Sequence, residues 1–63
     1  MMKPKLKSYA NGWTVYAEKG AYAGMYAVLI RTAAGEVYDR VRCDDYRMAM
    51  DYYKTFCNTA RNA

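Results

Sequence analysis

The chain has 63 residues, 54% hydrophobic and 25% charged, enough for one small domain and too apolar to remain unfolded. A chain of this length buries only about 60% of the surface it exposes when unfolded, which leaves little room for a deep catalytic pocket. It has no histidine, the commonest general base and metal ligand, and its formal charge of +4 is front-loaded, with Lys3, Lys5 and Lys7 all in the first seven residues.

The segment Met1-Met2-Lys3-Pro4-Lys5 is basic but no apolar run follows it, so no secretory signal is expected, and residues 1–5 are expected to fray. The longest uncharged stretch, Gly20 to Ile30, falls short of the roughly 18 apolar residues a membrane span needs. The expectation is a cytoplasmic, reducing setting with no membrane partner.

Asn11-Gly12 stands between two alternating runs and predicts a hairpin with a two-residue type I′ turn. The first strand then ends at Ala10 and the second begins at Trp13. Pairing across that turn puts Leu6, Ser8, Ala10, Trp13, Val15 and Ala17 on the core face. Lys5, Lys7, Tyr9, Thr14, Tyr16 and Glu18 take the other face. Pro4 and the lysines place the first strand at a sheet edge. Lys19 to Gly24 reads as a connection.

A third strand is predicted from about Met25 to Thr32, then a turn at Ala33-Ala34-Gly35-Glu36 with Gly35 left-handed, then a fourth strand from Val37 to Cys43. Setting Thr32 opposite Val37 turns Tyr26, Val28, Ile30, Val37, Val41 and Cys43 inward. Ala27, Leu29, Arg31, Tyr38, Arg40 and Arg42 then face outward, and Asp39 is an acid on the apolar face, expected at the rim. From Asp44, the expected N-cap, the period changes to 3.6 and predicts a helix from about Asp45 to Ala60. Its core stripe is Tyr46, Ala49, Met50, Tyr53, Cys57 and Ala60. These elements make a single α+β domain over residues 1–63, a four-stranded antiparallel meander (ββββα) whose C-terminal amphipathic helix covers one sheet face.

Cys43 and Cys57 lie at opposite ends of that helix, about 20 Å apart at 1.5 Å per residue, too far for a disulfide. Two cysteines without histidine complete neither a zinc site nor a cysteine-base pair, so no metal, cofactor or catalytic residue is expected. Asp44 and Asp45 read as helix-start residues, and no phosphate-binding glycine loop occurs.

The uncovered sheet face is the candidate site. On this register it displays Lys5, Lys7, Arg31, Arg40 and Arg42 with Tyr9, Tyr16 and Tyr38 among them, against the single acid Glu18. Arginine with tyrosine is hot-spot vocabulary for protein interfaces, and basic groups interleaved with aromatics also follow phosphates and stack on bases. A protein or nucleoprotein partner is the first reading and DNA or RNA the second. A row of Met48, Tyr52 and Phe56, rotated from the core stripe, offers a second contact or a homodimer seam.

The stretch Val37-Tyr-Asp-Arg-Val-Arg-Cys43, continuing through Asp44-Asp-Tyr-Arg-Met-Ala-Met-Asp-Tyr-Tyr-Lys-Thr-Phe-Cys57, resembles the short orphan proteins of bacteriophage and prophage genomes. That resemblance implies a phage-encoded protein acting inside a bacterial host, a non-catalytic binder or inhibitor of the anti-CRISPR or anti-defence kind. In outline, a three-stranded sheet followed by a helix is also similar to integrase arm-type and AP2-type DNA-binding domains.

Overall fold

A computed structural model describes residues 4–20 and 25–63. The order is β1 (Lys5–Ser8), β2 (Thr14–Lys19), β3 (Tyr26–Arg31), β4 (Val37–Cys43) and α1 (Tyr46–Asn62). The strands form one antiparallel sheet in the order β1-β2-β3-β4, and α1 packs across β2, β3 and β4. The fold is the expected α+β meander with one covering helix. Most of the expected fraying segment and of the Lys19 to Gly24 connection lies outside the described residues.

The core is small and forms where three strands and the helix meet. Val15 and Ala17 of β2, Val28 and Ile30 of β3, Cys43 of β4, and Ala49, Phe56 and Ala60 of α1 are buried. Alternation along β2 and β3 sends these residues toward α1 and their neighbours to the open side. Two alanines on the helix let its backbone approach the sheet, and Phe56 fills the space between them.

The helix begins one residue later than expected. Asp45 has extended backbone angles, φ −138° and ψ 160°, and its carboxylate accepts the Met48 N–H at 2.8 Å. Asp45, and not Asp44, is therefore the N-cap, and the helix runs on to Asn62 with Arg61 in its last turn, where a cation suits the dipole. The buried stripe is also rotated from expectation: Phe56 is in the core, whereas Tyr46 is 47% exposed.

The β1–β2 and β3–β4 hairpins close through the same three-residue loop. In the first, Tyr9 N–H donates to the Trp13 carbonyl at 3.0 Å and Gly12 N–H to the Tyr9 carbonyl at 2.9 Å. In the second, Thr32 N–H donates to the Glu36 carbonyl at 2.8 Å and Gly35 N–H to the Thr32 carbonyl at 2.9 Å. Gly12 and Gly35 have φ of +92° and +87°, so glycine supplies the left-handed residue that ends each loop. Asn11 is not left-handed, which excludes the expected type I′ turn.

The extra loop residue shifts the first hairpin by one position. Lys5 pairs with Ala17, Leu6 with Tyr16, Lys7 with Val15 and Ser8 with Thr14. Because opposed residues share a face, Leu6 and Ser8 move to the open side, and Lys5, Lys7 and Tyr9 move to the helix side. In the second hairpin Ile30 pairs with Asp39 and Arg31 with Val37, so Tyr38 is the extra residue of a β-bulge. The bulge absorbs the shift, and β4 from Asp39 onward keeps the expected register. Val37 turns outward and Tyr38 leaves the open face to rest against Trp13, with ring centroids 5.2 Å apart.

Candidate functional site

The open face is built by β1 to β4 from the residues that alternate with the core. Leu6 of β1, Thr14, Tyr16 and Glu18 of β2, Ala27, Leu29 and Arg31 of β3, and Val37, Arg40 and Arg42 of β4 occupy it. Two shallow clefts share Tyr16, Leu29 and Arg31. The first, of about 460 Å³, lies between Leu6, Thr14 and Leu29, with Arg31 at its rim. The second, of about 280 Å³, runs from Glu18 to Val37 beneath Arg40 and Arg42.

Several of these groups are held in place. The Tyr16 hydroxyl donates to the Glu18 carboxylate at 2.8 Å, and that hydrogen bond, with burial and the Glu18 charge, raises the Tyr16 phenol above its ordinary range. The Arg31 guanidinium donates to the Gly35 carbonyl at 3.0 Å, which leans it toward the second turn. Asp39, the acid expected at the rim, is exposed, and its carboxylate accepts the backbone N–H of Arg40 at 2.7 Å. The result is an apolar strip of Leu6, Tyr16, Leu29 and Val37 flanked by three arginines and one glutamate.

Of the predicted site residues, Tyr16, Arg31, Arg40 and Arg42 come together on this face. Lys5, Lys7, Tyr9 and Tyr38 do not, for the register reasons given above. Lys7 lies 5.9 Å from the Tyr9 ring centroid on the helix side, and Tyr9 packs against the core beside Tyr53 and Cys57. A hydrogen bond with the Cys57 thiol, reinforced by burial, pushes the Tyr9 phenol up to about 12. Sequence reasoning missed Leu6 and Val37 as surface residues, since an apolar residue in an alternating run reads as core until the turn length is known.

The second row divides. Met48 and Tyr52 are 46% and 41% exposed, but Phe56 is buried in the core with its ring 6.1 Å from that of Tyr52. Phe56 is therefore a packing residue, and no continuous seam of Met48, Tyr52 and Phe56 exists.

Both cysteines are free, Cys43 buried and Cys57 half-buried. Burial first, then the carboxylates of Asp45 and Asp44, pushes the Cys43 thiol up, away from the thiolate a nucleophile needs. Among the described residues no three Cys, Asp or Glu side chains gather as a metal would require, and no helix is long and apolar enough to cross a membrane. No family model matches the chain, and comparison with curated proteins and with solved structures gives no significant match.

Proposed function

We propose that this chain is a non-catalytic binding or inhibitory protein that places its open sheet face on an acidic surface of a partner protein or nucleoprotein assembly, in a reducing intracellular compartment. The observation that carries this reading is the composition of the face. Exposed Leu6 and Val37 with half-buried Leu29 and Tyr16 supply contact area, while Arg31, Arg40 and Arg42 supply steering and bidentate pairing at its margin. An apolar centre with an arginine rim is the anatomy of a protein interface.

The departure of Lys5, Lys7, Tyr9 and Tyr38 weighs against nucleic acid. What remains is three cations, one acid and one aromatic ring, a thin electrostatic track for phosphates and a poor platform for stacked bases. Nucleic acid is thus the second reading, supported by Arg40 and Arg42 standing beside Tyr16 across one cleft.

The test pairs two measurements on wild type and on an Arg40→Glu/Arg42→Glu variant whose fold is verified by circular dichroism. In the first, random-sequence DNA and RNA are titrated at about 50 and 200 mM salt, the range over which phosphate contacts show. In the second, partners are captured from bacterial lysate. The expected result is weak nucleic-acid binding and a protein capture that the charge reversal abolishes. Tight, steeply salt-dependent nucleic-acid binding, or a capture indifferent to the reversal, overturns the reading.

A further inference from the structure

The two edges of the sheet differ in how they meet solvent. β1 is four residues long, is preceded by Pro4, which has no backbone donor, and carries Lys5 and Lys7. Those are the usual means of blunting an edge strand. β4 is seven residues long, has no proline, and is the outermost strand at the other edge; its bulge at Tyr38 confines the regular part of that edge to residues 39–43, where the charges are those of Asp39, Arg40 and Arg42.

Backbone groups of an antiparallel strand point alternately to its two sides. The Arg40 N–H donates to the Asp39 carboxylate at 2.7 Å, not to β3. Arg40 and, two residues on, Arg42 therefore turn their backbone groups to the free edge while their side chains lie on the open face. The Asp39 carboxylate occupies the place where the carbonyl of an added strand would accept.

A second copy of the chain does not fit this edge. Two β4 strands pairing about a two-fold axis with their faces matched set Arg40 opposite Arg40 or Arg42, and directly opposed like charges are destabilising. An incoming strand with carboxylates at alternate positions reverses that sign at both arginines.

We propose that the free edge of β4 takes an extended acidic segment of the partner protein as a fifth strand, with Arg40 and Arg42 supplying both the backbone ladder and the complementary charge. Asp39 is displaced from the Arg40 N–H as the strand docks. This is strand addition, in which main-chain hydrogen bonds give affinity and alternate side chains give specificity. The inference rests on the acidic-partner reading above and names how that partner is held.

The probe is a capped synthetic peptide of alternating valine and glutamate, titrated into the isotopically labelled full chain and followed by NMR. Controls are the same peptide with lysine for glutamate, and with its ladder-forming amides N-methylated. The expected result is that the glutamate peptide shifts the Arg40 and Arg42 amides and protects them from exchange, and that the lysine peptide does neither. N-methylation should weaken binding by about tenfold or more, as loss of two or so ladder hydrogen bonds predicts. Asp39→Ala should tighten binding by freeing the Arg40 donor. If the N-methylated peptide binds as well as the parent, the edge inference fails and the acidic-face reading stands. If no peptide binds while lysate capture still depends on Arg40 and Arg42, the edge inference again fails alone. If capture also survives the charge reversal, both fall.

Discussion

The β1–β2 and β3–β4 hairpins use one loop and reach opposite outcomes. Ala10-Asn11-Gly12 and Ala33-Ala34-Gly35 close with the same pair of hydrogen bonds and the same left-handed glycine. In the first hairpin nothing compensates for the odd loop length, so all of β1 pairs one residue out of the expected register and its lysines leave the open face. In the second, the bulge at Tyr38 restores the register, and Arg40 and Arg42 stay on that face. The site is thus set less by the strands' own alternation than by whether a strand contains one spare residue. A bulge costs local ladder bonds, and here it keeps two arginines out of the core.

The turns also differ in what surrounds them, and the largest expected effects follow from that. A Cβ added at Gly12 would lie 2.9 Å from the Ala33 Cβ of the other turn, whereas one added at Gly35 meets nothing within 4 Å. Both positions impose a left-handed backbone, worth about 1–2 kcal/mol against alanine. Gly35→Ala should cost about that much, and Gly12→Ala about 2–4 kcal/mol once the collision is added. Denaturant titration of both variants checks the order. In the Gly12→Ala background, Ala33→Gly should recover the difference between them, and equal losses at the two glycines would show that the turns do not abut.

Next in size is Asn11, which has no functional counterpart at Ala34. Its side-chain oxygen accepts the Trp13 N–H at 3.0 Å, and its amide donates to the carbonyls of Ala60 at 2.7 Å and Ala63 at 3.3 Å, tying the first turn to the helix C-terminus. Asn11→Ala should cost about 1–2 kcal/mol, the sum of two or so net hydrogen bonds. Asn11→Asp should be no better, because it keeps the acceptor but sets a carboxylate against helix carbonyls at the negative end of the dipole. Ala34→Asn should be neutral. A tolerated Asn11→Asp would mean that turn preference, and not the helix tether, selects this residue.

Much of the architecture is legible from alternation alone. Val15 with Ala17 and Val28 with Ile30 mark their strands, and Gly35 its turn. What was not legible depends on contacts between distant segments. Asn-Gly is compatible with either a two-residue or a three-residue loop, and the tie to Ala60, 49 residues away, accompanies the longer one. The helix stripe was rotated because apolar residues ring the helix. Periodicity alone does not centre the buried face among Tyr46, Met48, Tyr52 and Phe56. The small residues Ala49 and Ala60 lie beside Phe56 in the core, where close approach to the sheet is possible. Contacts between distant segments also set the site: four of the eight expected residues, Lys5, Lys7, Tyr9 and Tyr38, change face with the loop length or the bulge.

A pH effect separates the hairpins further and appears only in alkali. Tyr9 of the first hairpin titrates near 12 in the folded chain, raised by its hydrogen bond with Cys57 and by burial, against an ordinary value near 10. A raised acid is protonated preferentially in the folded state, so its stabilising contribution is complete below pH about 10 and is lost as pH rises toward 12. Tyr9→Phe should flatten that fall in an alkaline stability profile and lower stability at neutral pH, where the contribution it removes is fully present. An unaltered profile would place the alkaline loss elsewhere, with Tyr53 and Cys43, both also raised chiefly by burial, as the groups to examine.

The smallest expected effect discriminates most sharply between the two pairings of the first hairpin. Leu6 is 67% exposed and opposes Tyr16. Leu6→Ser should therefore change stability by no more than about 0.5 kcal/mol, as exposed substitutions do. In the two-residue-turn pairing Leu6 would be a core residue, and its truncation would cost about 2–5 kcal/mol. The same variant removes one wall of the cleft against Leu29 and Arg31, so it should weaken partner capture while leaving the fold intact. A destabilised Leu6→Ser would return Lys5 and Lys7 to the open face, and with them the stronger case for phosphate. A stable variant that binds normally would keep the register and move the apolar anchor to Leu29 and Val37, nearer the β4 edge.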